Sequence, residues 1–134
     1  MRAAERFIDT NVLLYLLSGD DSKADRAESE LDAGCVVSVQ VLNEFASVAS
    51  RKLGMSIAEI REVLATIRAV CRVEPISEAT HDLGLHIADK CGVAIYDAMI
   101  VASALLANCG ILVSEDLQDR QIFEGRLEVR NPFR

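Results

Sequence analysis

Four acidic residues stand where apolar segments begin, end or are interrupted. Asp9 follows "FI", Glu44 lies within "QVLNEFASV", Asp97 heads "YDAMIVASALL", and Asp116 follows "ILVS". An acid beside buried apolar chain is costly unless something offsets its charge. Carboxylates gathered at one place raise one another's pKa, and burial raises them further. A hard divalent cation such as Mg²⁺ or Mn²⁺ resolves that repulsion through oxygen ligands, waters and a substrate phosphate. The matching chemistry is metal-assisted hydrolysis of a phosphodiester. Each acid also has a plainer role open to it. Asp9 and Asp97 could cap helices, Glu44 could flank a solvated face, and Asp116 could belong to a polar loop.

The densest charge is in "VSEDLQDRQ", residues 113–121, with Glu115, Asp116 and Asp119. Alternate residues of extended chain face opposite ways, so Ser114 and Asp116 share one side and Glu115 is expected to point away. Asp119 is a secondary candidate. From Arg120 to the end, four arginines (120, 126, 130, 134) face two acids, Glu124 and Glu128. A basic rim beside the acidic pocket is consistent with that asymmetry.

The elements that must position these residues follow from periodicity. Residues 5–9 read as a short buried strand, and a helix begins at Asn11 or Val12. A polar helix covers about 22–32, with Asp20-Asp21 as its cap. "CVVSV" (35–39) is a second strand, and it leads into a helix with Val41, Leu42, Phe45, Val48 and Ala49 at helical spacing, ended by Gly54. Ser56 and Glu59 fit a capping box for the helix to Ala69. "CRVEPI" gives a third strand, and Ser77 to Cys91 a helix with Thr80, Leu83, Ile87 and Cys91 inward. The nearly all-apolar helix from Tyr96 to Asn108 must be buried, and Gly110 closes it. "ILVS" is the fourth strand and "LEVRN" the fifth. Alternating helices and short apolar strands predict a parallel sheet covered on both faces. In such sheets ligands bind beyond the carboxyl ends of the strands, where Asp9 and Asp116 fall.

The chain has 134 residues, suits one domain over 1–134, and is 51% hydrophobic. A formal charge of −7 argues against a sequence-blind nucleic-acid coat. No apolar run approaches a membrane span, and the start lacks a signal-peptide core, so a cytoplasmic protein is expected. Cys35, Cys71, Cys91 and Cys109 form no CxxC pair and read as small buried hydrophobes in a reducing compartment. His81 and His86, five apart on one helix, do not share a face for one metal. Tyr96 reads first as core packing and second as a surface on which a base could stack.

The residues now quoted carry a resemblance. "FIDTNVLLYLL" (7–17), "SVQVLNEF" (38–45), "YDAMIVASALLANCGILVSEDLQD" (96–119) and "NPF" (131–133) together resemble a PIN-domain ribonuclease, most closely the VapC-like toxin of a VapBC toxin–antitoxin module. The resemblance spans nearly the whole chain. It implies a three-layer α/β/α sandwich with a short parallel sheet of four to five strands and a Mg²⁺- or Mn²⁺-dependent endoribonuclease. It implies catalytic Asp9, Glu44, Asp97 and Asp116, with Asp9, Asp97 and Asp116 as the metal ligands. Ser114 matches the small hydroxyl residue before the fourth acid, and Asn11 the polar residue that orders the first acid. Thr10 is the weaker member of that triplet. A homodimer and a VapB-like antitoxin whose tail blocks the pocket are implied as well, with Val12 to Leu17 as a contact surface. Relatives in this family often carry Gly at the position of Arg120, which can alter the loop turn or bring a cation to the rim.

Two other functions share parts of this pattern. A phosphatase or phosphotransfer domain also places an Asp after its first strand, but the second acid that the haloacid-dehalogenase kind needs two residues on is here Asn11, and the acidic pair and late Lys of the response-regulator kind are not present. A non-catalytic binding module of the same fold would not require all four acids.

Overall fold

Phe7 and Ile8 are fully buried, and the strand they form is central to the sheet. The computed structural model describes residues 5–134. In it β1 (Arg6–Ile8) pairs in parallel with β2 (Cys35–Ser38) on one side and β4 (Ile111–Val113) on the other. Beyond β2 lies β3 (Cys71–Glu74). Beyond β4 come β6 (Leu127–Arg130) and β5 (Ile122–Phe123), giving the order β3-β2-β1-β4-β6-β5. All pairs are parallel except β5 with β6. The sequence predicts four to five strands, and the sheet has six. The additional strand, β5, is two residues long, too short to show a period of two.

The expected α/β/α architecture holds, with six α-helices among the described residues. They are α1 (Thr10–Leu14), α2 (Asp21–Asp32), α3 (Val39–Leu53), α4 (Ile57–Val70), α5 (Glu78–Cys91) and α6 (Ile95–Leu106). A 3₁₀ turn, Tyr15–Leu17, extends α1. Local chemistry accounts for most boundaries. Asp20 accepts from the Ser22 and Lys23 amides, Ser56 and Glu59 form the reciprocal capping box, and Gly54 and Gly92 end their helices in left-handed conformation. Inside, Val41, Phe45 and Ala49 of α3 and Ile60 and Ile67 of α4 are buried. Burying one such large side chain stabilises the fold by roughly 1.5–3 kcal/mol. At Gly84 a Cβ would meet the Met99 sulfur at 2.3 Å, so the missing side chain lets α5 lie close against α6.

Several expectations are corrected. The residue that turns left-handed after α6 is Asn108 (φ 59°), not Gly110, and the Cys109 amide then bonds the Ala104 carbonyl. Val12 and Leu13 are buried, whereas Leu14, Tyr15, Leu16 and Leu17 are partly exposed, so the contact surface expected over Val12 to Leu17 narrows to its last four residues. Cys91, expected inward, is exposed. Cys35 and Cys71 are not separate buried thiols. They are register partners in β2 and β3, with Cα atoms 4.9 Å apart, joined in a disulfide. Their 36-residue separation gave no hint of that register. Cys109 alone matches the expected buried thiol, and burial pushes its pKa up to about 12. No helix among the described residues is long and apolar enough to cross a membrane.

Candidate active site

The chain runs from β1 to β2 to β3 on one side, then crosses back to place β4 on the other side of β1. The strand order therefore reverses between β1 and β4, and such a switch point opens a crevice at the carboxyl ends of the two strands. Asp9 directly follows β1, and Ser114 directly follows β4.

Asp9 is the N-cap of α1 and is 5% exposed. Its Oδ1 accepts from the Thr10 amide at 2.7 Å, and its Oδ2 accepts from the Ser114 hydroxyl at 2.8 Å. Capping and site-building are thus one arrangement at this residue. Burial raises the Asp9 pKa to about 6, against the lowering effect of the two hydrogen bonds, and the charges of Asp116 and Asp97 raise it further. Ser114, fully buried, also accepts from the Asp116 and Leu117 amides at 3.2 and 3.4 Å, which wraps the loop after β4 around its oxygen.

Asp97 lies in the first turn of α6, whose N-cap position is Ala94, so Asp97 is not the cap. Burial raises its pKa, as do the charges of Asp116 and Glu44. Glu44, on α3, has its Oε1 held by the Thr10 hydroxyl at 2.8 Å. Asp116 has its Oδ2 held by the Asn11 amide nitrogen at 2.6 Å. All four sequence-selected acids therefore share one electrostatic field, and each of three is fixed by a polar side chain from α1 or the β4 loop.

The supporting roles differ in part from expectation. Asn11 orders the fourth acid, not the first. Thr10, weak in the sequence reading, is buried and serves two acids at once, its amide on Asp9 and its hydroxyl on Glu44. Only the fold brings Glu44 of α3 within its reach. Glu115 does not face solvent freely, since its Oε1 accepts from the Tyr15 hydroxyl at 2.7 Å and pushes that phenol's pKa up to about 12. Asp119 stands outside the acid group. Its Oδ1 accepts from the Asn131 amide at 2.7 Å and ties the loop to the C-terminal segment. Arg120 adopts φ 70°, the left-handed region that a glycine would favour. Tyr96 is 74% exposed, contrary to the core role expected first. It lines a groove of about 460 Å³ with Gln40, Asn43, Glu44, Ile76 and His81. His86 lies apart, 3.6 Å from Glu124.

The donor set is four carboxylates with a hydroxyl and an amide close by, hard oxygens suited to Mg²⁺ or Mn²⁺. Among the described residues no three His, Cys, Asp or Glu side chains are arranged to hold one ion between them. Mg²⁺ commonly takes one or two protein carboxylates and keeps several waters. The raised Asp9 and Asp97 carboxyls are groups whose ionised form gains most from a nearby cation.

An open, mostly parallel sheet with carboxylates converging at its switch point defines an α/β domain built around an acidic crevice. The chain belongs to the PIN domain family, whose model matches residues 6–122. No curated protein matches the sequence. Among solved structures it is similar to a toxin–antitoxin complex from Klebsiella pneumoniae, at 20% identity and TM-score 0.73, covering 96% of this chain and 98% of that one. It is also similar to Mycobacterium tuberculosis VapC20, described as a sarcin–ricin loop cleaving toxin, at 21% identity and TM-score 0.63, covering 81% and 87%. VapBC2 from Rickettsia felis, bound to a promoter DNA fragment, gives 18% identity and TM-score 0.64 over 94% and 98%. At these identities the likeness speaks to the fold.

Proposed function

We propose that the protein is a Mg²⁺- or Mn²⁺-dependent endoribonuclease, acting in the cytoplasm as the toxin of a toxin–antitoxin pair. The observation that carries this reading is the coupled acid group at the switch point, in which Asp9 and Asp97 are both pushed up by burial and by neighbouring carboxylates. PIN membership supports it, as do structural relatives described as a toxin–antitoxin complex and as a sarcin–ricin loop cleaving toxin. A VapB-like antitoxin and a homodimer belong to the same proposal.

In this mechanism Asp9, Asp97 and Asp116 would offer carboxylate oxygens to a partly hydrated cation, which when bound would supply charge stabilisation to the phosphodiester and acidify water. Ser114 and the Thr10 amide keep Asp9 oriented. Asn11 holds one oxygen of Asp116 and leaves the other free. Thr10 likewise occupies only one oxygen of Glu44, so the second can accept a proton from an attacking water. Tyr96, exposed beside Asp97, offers a ring face on which an unpaired base can stack, with the Gln40 and Asn43 side chains of the same groove as hydrogen-bonding partners. Asn11 donates to Asp116 from the position where a haloacid-dehalogenase-type phosphatase would place its second acid, which disfavours that alternative.

The test is to purify the protein free of any partner and map cleavage of total RNA with Mg²⁺, Mn²⁺ or EDTA. Cleavage at discrete sites with either metal, and none in EDTA, is expected. A folded, Mn²⁺-loaded sample that leaves RNA intact would favour a non-catalytic binding module.

A further inference from the structure

Behind the acid crevice lies a second cleft of opposite charge. It has a volume of about 230 Å³ and is lined by five arginines, Arg6, Arg26, Arg120, Arg130 and Arg134, in a protein of net charge −7. The acids around it are shared out thinly. Glu30 pairs with both Arg6 and Arg26, Glu128 pairs with both Arg120 and Arg130, and Asp119 is occupied by the Asn131 amide. Arg134 makes no ion pair with a side chain among the described residues, and the Arg120 contact, at 4.0 Å, is long with the side chain 79% exposed. The Arg6 Nε is buried and lacks a hydrogen-bond partner among the described residues. Each guanidinium presents five N–H donors in a fork that matches phosphate oxygens, so donor capacity here far exceeds what three carboxylates accept.

The position of the cleft gives that excess a use. Val113, the last residue of β4, lines the cleft, and the next residue, Ser114, holds Asp9 in the acid crevice. Successive strand residues face opposite ways, so the two sites lie back to back across the end of one strand. We infer that the arginine cleft binds a backbone phosphate of the RNA, a few nucleotides from the bond that is cut. This rests on the nuclease reading for the identity of the ligand. The cleft supplies the cationic charge that the acidic crevice lacks, and a sequence-independent phosphate contact would fix the register of the strand across the acids. It also gives Arg120 a purpose at a backbone position where glycine would be the less strained choice.

Binding of a fluorescently labelled single-stranded RNA oligonucleotide to the full chain, followed by anisotropy in EDTA across a salt series, tests this. The cleft variant is Arg120→Asn with Arg134→Ala, both exposed, with Asn chosen because it tolerates the left-handed backbone. The charge-matched control is Arg61→Ala with Arg68→Ala on α4, which packs beside β3 at the far edge of the sheet. Losing two phosphate contacts should weaken binding by about tenfold and reduce the slope of log K against log salt by about 1.4. The control should keep the wild-type slope. Unchanged affinity in the cleft variant, or an equal loss in the control, overturns the inference. So does a cleft variant that loses binding of polyglutamate but binds RNA as the wild type does, since that assigns the cleft to an acidic polypeptide. The nuclease reading is scored separately by Mn²⁺-dependent cleavage. Wild-type protein that shows the arginine-dependent binding but never cuts defeats that reading alone.

Discussion

Asp9 concentrates the physical argument at the scale of the residue. Its carboxyl has a folded pKa of about 6 against the ordinary aspartate value of 3.8, with burial as the chief cause. A raised folded pKa means that the native state holds the proton more tightly than the unfolded chain does. The group's contribution to stability is therefore full below pH 3.8 and is lost as pH rises through 6. Above that, the ionised group costs about 3 kcal/mol, taking 1.36 kcal/mol per pKa unit. Asp9→Asn should accordingly resist urea better than the wild type at pH 8, with the gap about halved at pH 5 and nearly gone near pH 3.5. A gap that stays constant with pH would remove desolvation as the cause. Thr10 carries the second prediction. Thr10→Val frees Glu44 and should lower the cleavage rate by about 10- to 100-fold, as loss of a ligand-orienting partner does, and shift the pH–rate profile. Thr10→Ser should restore both. Retained wild-type rates in Thr10→Val would show that the Glu44 contact is incidental. The four acids were legible in the sequence because each breaks an apolar pattern. Thr10, Tyr15 and the true partner of Asn11 were not, because their bonds span 34, 100 and 105 residues and leave no local trace.

Among the elements, the helices were the most readable part of the chain, since amphipathic spacing and caps are local. Ser56–Glu59, Asp20 and Gly54 all act as read. Short edge pieces were the least readable: β5 has two residues, and nothing in "QIFEG" distinguishes a strand from a turn. The left-handed Asn108 was likewise hidden, because turn geometry after α6 depends on where the next strand must start, whereas Arg120 was signalled by the glycine that relatives carry at its position. Arg120 yields the prediction at this scale. A non-glycine residue in left-handed backbone costs about 1–2 kcal/mol, partly offset by the greater chain entropy of glycine. Arg120→Gly should raise the free energy of unfolding by roughly 0.5–1 kcal/mol in denaturant titrations. A loss of stability would mean that the guanidinium contact with Glu128 outweighs the strain.

On the scale of the whole molecule, the topology separates what holds the fold from what does the chemistry. The reversal of strand order between β1 and β4 creates the crevice, while the Cys35–Cys71 bond joins the opposite, amino-terminal ends of β2 and β3. Closing a loop of 36 residues restricts the unfolded chain by up to about 4 kcal/mol. The double variant Cys35→Ala, Cys71→Ala should lose about 2–4 kcal/mol in chemical denaturation. Its cleavage rate at 25 °C should stay near the wild type's, and a collapse of activity in a sample that remains folded would tie that end of the sheet to catalysis. The strand–helix alternation revealed the fold class, whereas the register that brings two cysteines face to face required the assembled sheet. The central claim is that the acids at the switch point perform metal-dependent hydrolysis. Its most direct measurement is the Mn²⁺-dependent cleavage rate of one defined RNA by the wild type and by Asp97→Asn, with thermal unfolding recorded on the same samples. The account predicts at least a hundredfold loss of rate, about 2.7 kcal/mol of barrier, in a variant that unfolds no earlier than the wild type. Full activity in folded Asp97→Asn would contradict it.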